Sequence, residues 1–78
     1  MPFIYQNNKQ VKSEFKKMLI DKDITMSQIA EKLDIIPQQL NNRFNNKRIA
    51  LTDLQTWLDA ANCDLKISFI DKESGREF

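Results

Sequence analysis

Apolar residues recur along this 78-residue chain at two different periods. Val11, Phe15, Met18 and Leu19 fall at i, i+4, i+7 and i+8, the spacing of one helix face, while Lys9, Lys12, Lys16 and Lys17 crowd the remaining surface. Residues 1–8 before them show no period and predict an extended arm, with Phe3, Ile4 and Tyr5 available to pack on the body. Asp21, Lys22 and Asp23 interrupt the first pattern. A second helix then opens at Thr25, where Thr25 and Gln28 form a capping box and Ile24 and Ile29 occupy the two positions of a hydrophobic staple. Ile29, Ala30 and Leu33 make its apolar face. Asp34 falls where the chain must leave that helix in left-handed backbone, which Gly suits best and Asp or Asn tolerate. Ile35 turns back to the core, and Pro37 restarts a helix at the first helical position. Because the break is too short for antiparallel neighbours, the two helices must meet at a steep angle, a helix-turn-helix over residues 25–46.

In the helix that begins at Pro37, only Leu40 and Phe44 are strongly apolar, four residues apart and so on one face. At about 100° per residue, Gln38, Asn42 and Asn45 lie opposite that face, Gln39 and Asn46 on one shoulder, Asn41 near the other edge and Arg43 beside the core stripe. A helix that need only be soluble shows Glu and Lys outward. This one shows carboxamides, with no carboxylate between Pro37 and Asn46, and carboxamides are suited to base edges.

Beyond it, Ile49 and Leu51 return the chain to the core. Thr52 and Gln55 suggest a second capping box, and Leu51, Leu54, Leu58 and Ala61 recur at helical spacing with Trp57 beside them as core or interface. The period then changes to two: Leu65, Ile67 and Phe69 alternate with Lys66, Ser68 and Ile70, the pattern of a half-buried strand. Residues 72–75 offer a tight turn with Gly75 at positive φ, and residues 76–78 a returning strand. The organisation expected is an arm (1–8), a helical domain (9–63) and a C-terminal strand or hairpin (64–78).

Residues 25–46 with their flanks resemble the phage repressor and Cro superfamily, the lambda-repressor-like helix-turn-helix DNA-binding domains. That family's pattern is Leu-Ala-x-x-Leu-Gly, a short turn, a recognition helix, then Asn-Gly-Lys. Here it reads Ile29-Ala30-Glu31-Lys32-Leu33-Asp34, Ile35-Ile36, Pro37 to Phe44, then Asn45-Asn46-Lys47-Arg48, and the resemblance covers about residues 11–63. Asp34 and Asn46 stand where Gly is usual, and both tolerate left-handed backbone. Ile36 stands where a small hydroxyl residue usually caps the recognition helix, and it cannot accept that helix's free N–H groups. The resemblance implies a mainly α fold, a bundle of about four helices with a C-terminal β-strand or hairpin. It implies a first helix near the DNA backbone, a phosphate-gripping loop at Lys47 and Arg48, and dimerisation through a C-terminal strand comprising Leu65, Ile67, Phe69 and Ile70. Base readout then falls to Gln38, Gln39, Asn41, Asn42 and Arg43. Phosphate contacts fall to Lys16, Lys17, Ser27, Gln28, Asn45, Lys47 and Arg48.

Composition narrows the classes. The net charge is only +1, but residues 1–50 hold nine Lys or Arg against five Asp or Glu, a balance of +4, and residues 51–78 hold three against six, a balance of −3. That split suits a first half presented to a polyanion. The single cysteine, Cys63, excludes an internal disulfide and suggests a reducing, cytoplasmic setting, and the resemblance implies a bacterial or phage-encoded protein. With no Lys or His beside it in sequence, it reads as a small buried hydrophobe. With no histidine, no glycine-rich phosphate loop and carboxylates scattered at helix surfaces and ends, no catalytic constellation emerges, so no enzyme, metal or cofactor is expected. No apolar run approaches a membrane span, and the N-terminus lacks the order of a signal peptide. Two classes remain. One is a sequence-specific transcriptional regulator acting on double-stranded DNA as a homodimer. The other is a protein-binding module, such as an antitoxin or mobile-element accessory factor, that uses the helix-turn-helix only as scaffold.

Overall fold

A computed structural model of the protein describes residues 2–78. It is mainly helical, with α1 (Asn8–Lys22), α2 (Met26–Lys32), α3 (Pro37–Phe44) and α4 (Leu51–Ala60). The N-cap of α1 is Asn7, whose side chain accepts the Gln10 N–H at 3.0 Å. At α2 the capping box is complete: Thr25 Oγ1 accepts the Gln28 N–H at 3.2 Å and Gln28 Oε1 accepts the Thr25 N–H at 2.9 Å. Ile36 precedes α3 with no side-chain acceptor to offer, and only the reciprocal half of a box forms, Gln39 Oε1 accepting the Ile36 N–H at 3.4 Å.

The α1, α2 and α4 ends share one construction. Asp23, Asp34 and Asn62 follow these helices with φ of 56°, 57° and 58°. After α2, the Asp34 N–H bonds the Glu31 carbonyl and the Ile35 N–H bonds the Ala30 carbonyl, the paired bonds of a Schellman ending. The same pair recurs at Asp23–Ile24 and at Asn62–Cys63. A chain with one glycine thus uses Asp and Asn at all three left-handed corners. Each retains strain that glycine would relieve, so Asp34→Gly and Asn62→Gly should each raise unfolding free energy by up to about 1 kcal/mol. Urea denaturation checks this, and a lowered midpoint would contradict it. The expectation of left-handed backbone at Asn46 is overturned: α3 ends on Asn45 at φ −85°, ψ 0°, and Asn46 has no positive φ. Its N–H bonds the Arg43 carbonyl in a right-handed final turn, so no reversal is required there.

The core draws on every helix. Ile29 and Leu40 are fully buried and join α2 to α3, while Phe15, Phe44 and Trp57, one each from α1, α3 and α4, form an aromatic trio with centroids 5.4, 5.6 and 6.4 Å apart. Leu19, Ala30, Leu54, Ala60 and Ala61 complete it, with Val11, Met18, Leu33, Ile35 and Leu65 packed at its margin. Two side chains hold α1 to later parts of the chain. Near its start, Asn8 Nδ2 donates to the Lys47 carbonyl at 2.7 Å; at its end, Lys22 Nζ donates to the Ala61 carbonyl at 2.6 Å and to the Asn62 carbonyl at 3.3 Å. The second contact places a cation at the negative end of α4.

Four further expectations are corrected. The box at Thr52 and Gln55 does not form, because the Ala50 carbonyl takes the Leu54 N–H and α4 therefore begins before Thr52. Leu51 is exposed rather than core; in an α4 begun there it lies about 60° from Leu54 and about 120° from Trp57, off the buried stripe. Phe3, Ile4 and Tyr5 of the arm stay exposed. The C-terminal strand is absent: among the described residues there is no strand, only one antiparallel bridge between Ile70 and Glu77. Leu65 reaches the core, but Ile67, Phe69 and Ile70 are exposed, so the alternation does not correspond to a half-buried face. Two backbone bonds, Asp71 N–H to Arg76 and Phe78 N–H to Phe69, are too few to sustain a ladder with no third strand. The turn between them does form. Gly75 takes φ 75°, and Asp71 accepts from the Ser74 backbone and hydroxyl and from the Glu73 backbone, bonds that hold its carboxyl below its ordinary pKa.

Candidate nucleic-acid interface

Helix α3 buries Leu40 and Phe44 and leaves every other side chain in water, so Gln38, Gln39, Asn41, Asn42 and Arg43 are all exposed. This follows from the sequence spacing: two apolar residues four apart fix the rotation of an eight-residue helix, and the polar remainder must face out. Four carboxamides and a guanidinium without a carboxylate form a surface of paired donors and acceptors. Gln39 differs from the others because its oxygen is engaged at the Ile36 N–H, leaving its NH2 free.

Cations gather at the C-terminal end of α3. Lys16 Nζ stands 5.8 Å from the Phe44 ring centroid and Lys12 Nζ 6.0 Å, so both ammonium groups from α1 converge on the last residue of α3. The loop after α3 is tethered to the same helix by the bond from Asn8 to the Lys47 carbonyl, and Asn46 Oδ1 accepts the Arg48 N–H at 3.5 Å. Lys47, Arg48, Asn45 and Asn46 are exposed. Lys12 and Lys16 thus reach the end of α3 directly, and Lys47 and Arg48 lie in the exposed loop that α1 tethers through Asn8. The i, i+4 relation of Lys12 to Lys16 is visible in the sequence, but its approach to Phe44 appears only in the fold. Lys17 pairs instead with Glu14 at 3.4 Å, an exposed ion pair of little strength.

Ser27 and Gln28 are exposed in the first turn of α2. Gln28 lines an open recess of about 610 Å³ with Asp23, Glu31 and Lys32, and its oxygen already caps α2. A neighbouring recess of about 830 Å³, which shares Lys32 and Ala60, includes Asp59, Asp64 and Cys63. Neither is lined by a residue of α3. Cys63 itself is half-buried, and Lys22 Nζ lies 3.6 Å from its sulfur. That neighbour comes from 41 residues away, which is why the sequence did not reveal it.

Among the described residues no three His, Cys, Asp or Glu side chains are placed to hold a metal ion, and no helix is long and apolar enough to cross a membrane. No protein-family model, curated protein or solved structure matches this chain.

Proposed function

We propose that the protein is a sequence-specific DNA-binding regulator of the repressor and Cro type, a helix-turn-helix protein that lays α3 in the major groove of double-stranded DNA and works in the cytoplasm. The observation that carries this reading is the carboxylate-free face of α3, where Gln38, Asn41, Asn42 and Arg43 stand exposed over a core anchored by Leu40 and Phe44. Side-chain amides match the donor and acceptor pair of adenine, and guanidinium matches guanine. Lys12, Lys16, Lys47 and Arg48 supply phosphate contacts at one end of that face, fixing register without reading sequence. Binding rather than catalysis is the activity proposed.

Phosphate grip has a direct test. Lys47→Ala with Arg48→Ala should weaken binding to all duplexes alike and reduce the slope of log K against log salt by about 1.8, two contacts at about 0.9 each. An unchanged slope would remove these residues from the interface.

A homodimer completes the reading. Ile67, Phe69, Ile70 and Phe78 are exposed in a single copy, and the Ile70–Glu77 pairing leaves backbone groups open to a second chain. Leu65, half-buried against its own core, offers less surface to that role. Sedimentation should show dimers that are lost on truncation after Asn62. A strict monomer at high concentration and on DNA would contradict the dimer.

A further inference from the structure

Ile36 is 60% exposed at the N-cap of α3, beside a face that is otherwise polar. Local stability does not account for it. An apolar N-cap forgoes the side-chain bond that Ser, Thr, Asp or Asn would make to the first turn, and Ile36, unlike its neighbour Ile35, does not pack against the core. The residue three positions on is equally particular. Gln39 Oε1 is held by the Ile36 N–H, so the Gln39 amide presents its NH2, a donor, beside an exposed aliphatic side chain.

Only one base edge in the major groove combines an acceptor with an adjoining apolar group: thymine, with O4 and the C5 methyl. We propose that Ile36 and Gln39 form a thymine-reading pair at the N-terminal end of α3, Ile36 covering the methyl and the Gln39 NH2 donating to O4. The assignment rests on the DNA-binding reading above and adds to it a base and two roles. It also separates Gln39 from Gln38 and Asn42, whose amides have no hydrogen-bond partner among the described residues and can take adenine with both groups.

The test removes the methyl alone. On the site selected by the intact protein, each thymine under the α3 footprint is replaced in turn by deoxyuridine, which keeps O4 and the pairing with adenine. One position should weaken the wild-type protein about four-fold, the worth of one buried methyl-sized group. Ile36→Ala should bind the thymine and uracil versions of that position equally, with an unchanged Tm because the side chain is exposed. Gln39→Glu keeps an acceptor for the Ile36 N–H and removes the donor; it should fold as before and lose its preference for thymine at the same position. A site without thymine in the footprint, insensitivity to every deoxyuridine, or a deoxyuridine penalty that persists in Ile36→Ala would overturn the pair while leaving DNA binding intact. Absence of any sequence preference in the wild-type protein would overturn the DNA reading and the pair together.

Discussion

Phe44→Ala should lower the unfolding free energy by about 3–5 kcal/mol. Phe44 is 2% exposed, it meets Phe15 and Trp57 with centroids 5.4 and 5.6 Å away, and the ammonium groups of Lys12 and Lys16 stand 6.0 and 5.8 Å from its centroid. The trio consists of rigid rings contributed by three different helices, so closing the void would require those helices to move. A domain of this size holds roughly 5–10 kcal/mol in all, so the loss takes about half of its margin. Urea denaturation followed through Trp57 fluorescence measures the change directly. A variant with wild-type stability would mean that α3 is rotated about its axis, and the amide face would no longer point outward.

The second large effect concerns recognition. Gln38→Ala with Asn42→Ala should reduce affinity for the preferred duplex by about 2–6 kcal/mol, at about 1–3 kcal/mol for each well-formed bidentate contact, and leave non-specific binding nearly unchanged. Both side chains are exposed, one turn apart, so folding should survive and the loss should appear as specificity. The preferred half-site should contain A·T pairs under α3, arranged as an inverted repeat with centres about 34 Å apart for a two-fold dimer. Competition titrations with specific and bulk DNA separate the two terms. A double variant that retains its sequence preference would show that these amides do not read bases.

What the sequence disclosed was local. The Thr25–Gln28 box, the left-handed corner at Asp34 and the burial of Leu40 and Phe44 each depend on residues within five positions of one another, and all appear in the structure. Start and stop signals that depend on a competing alternative were less legible. Thr52 and Gln55 have the spacing of a capping box, yet α4 gains earlier backbone bonds by starting at Leu51, and packing of Leu54 and Trp57 determines its rotation. Asn46 matched a glycine position by alignment to a pattern, but a right-handed final turn satisfies α3 without it. The alternation of residues 65–70 records which side chains are apolar, not whether a partner strand exists; in one copy of the chain none does. Contacts across long sequence separations were beyond reach: Lys22 with Cys63, Asn8 with Lys47, and the convergence of Lys12 and Lys16 on Phe44 arise only when α1 is laid against the later helices.

Selection of duplexes from a random pool by the intact protein, at low and at physiological salt, tests the central claim most directly. DNA recognition by α3 predicts tight, salt-sensitive binding that converges on a single A·T-containing motif and survives at physiological salt. Failure to retain any duplex at low salt, or retention that never converges on a sequence, would contradict it.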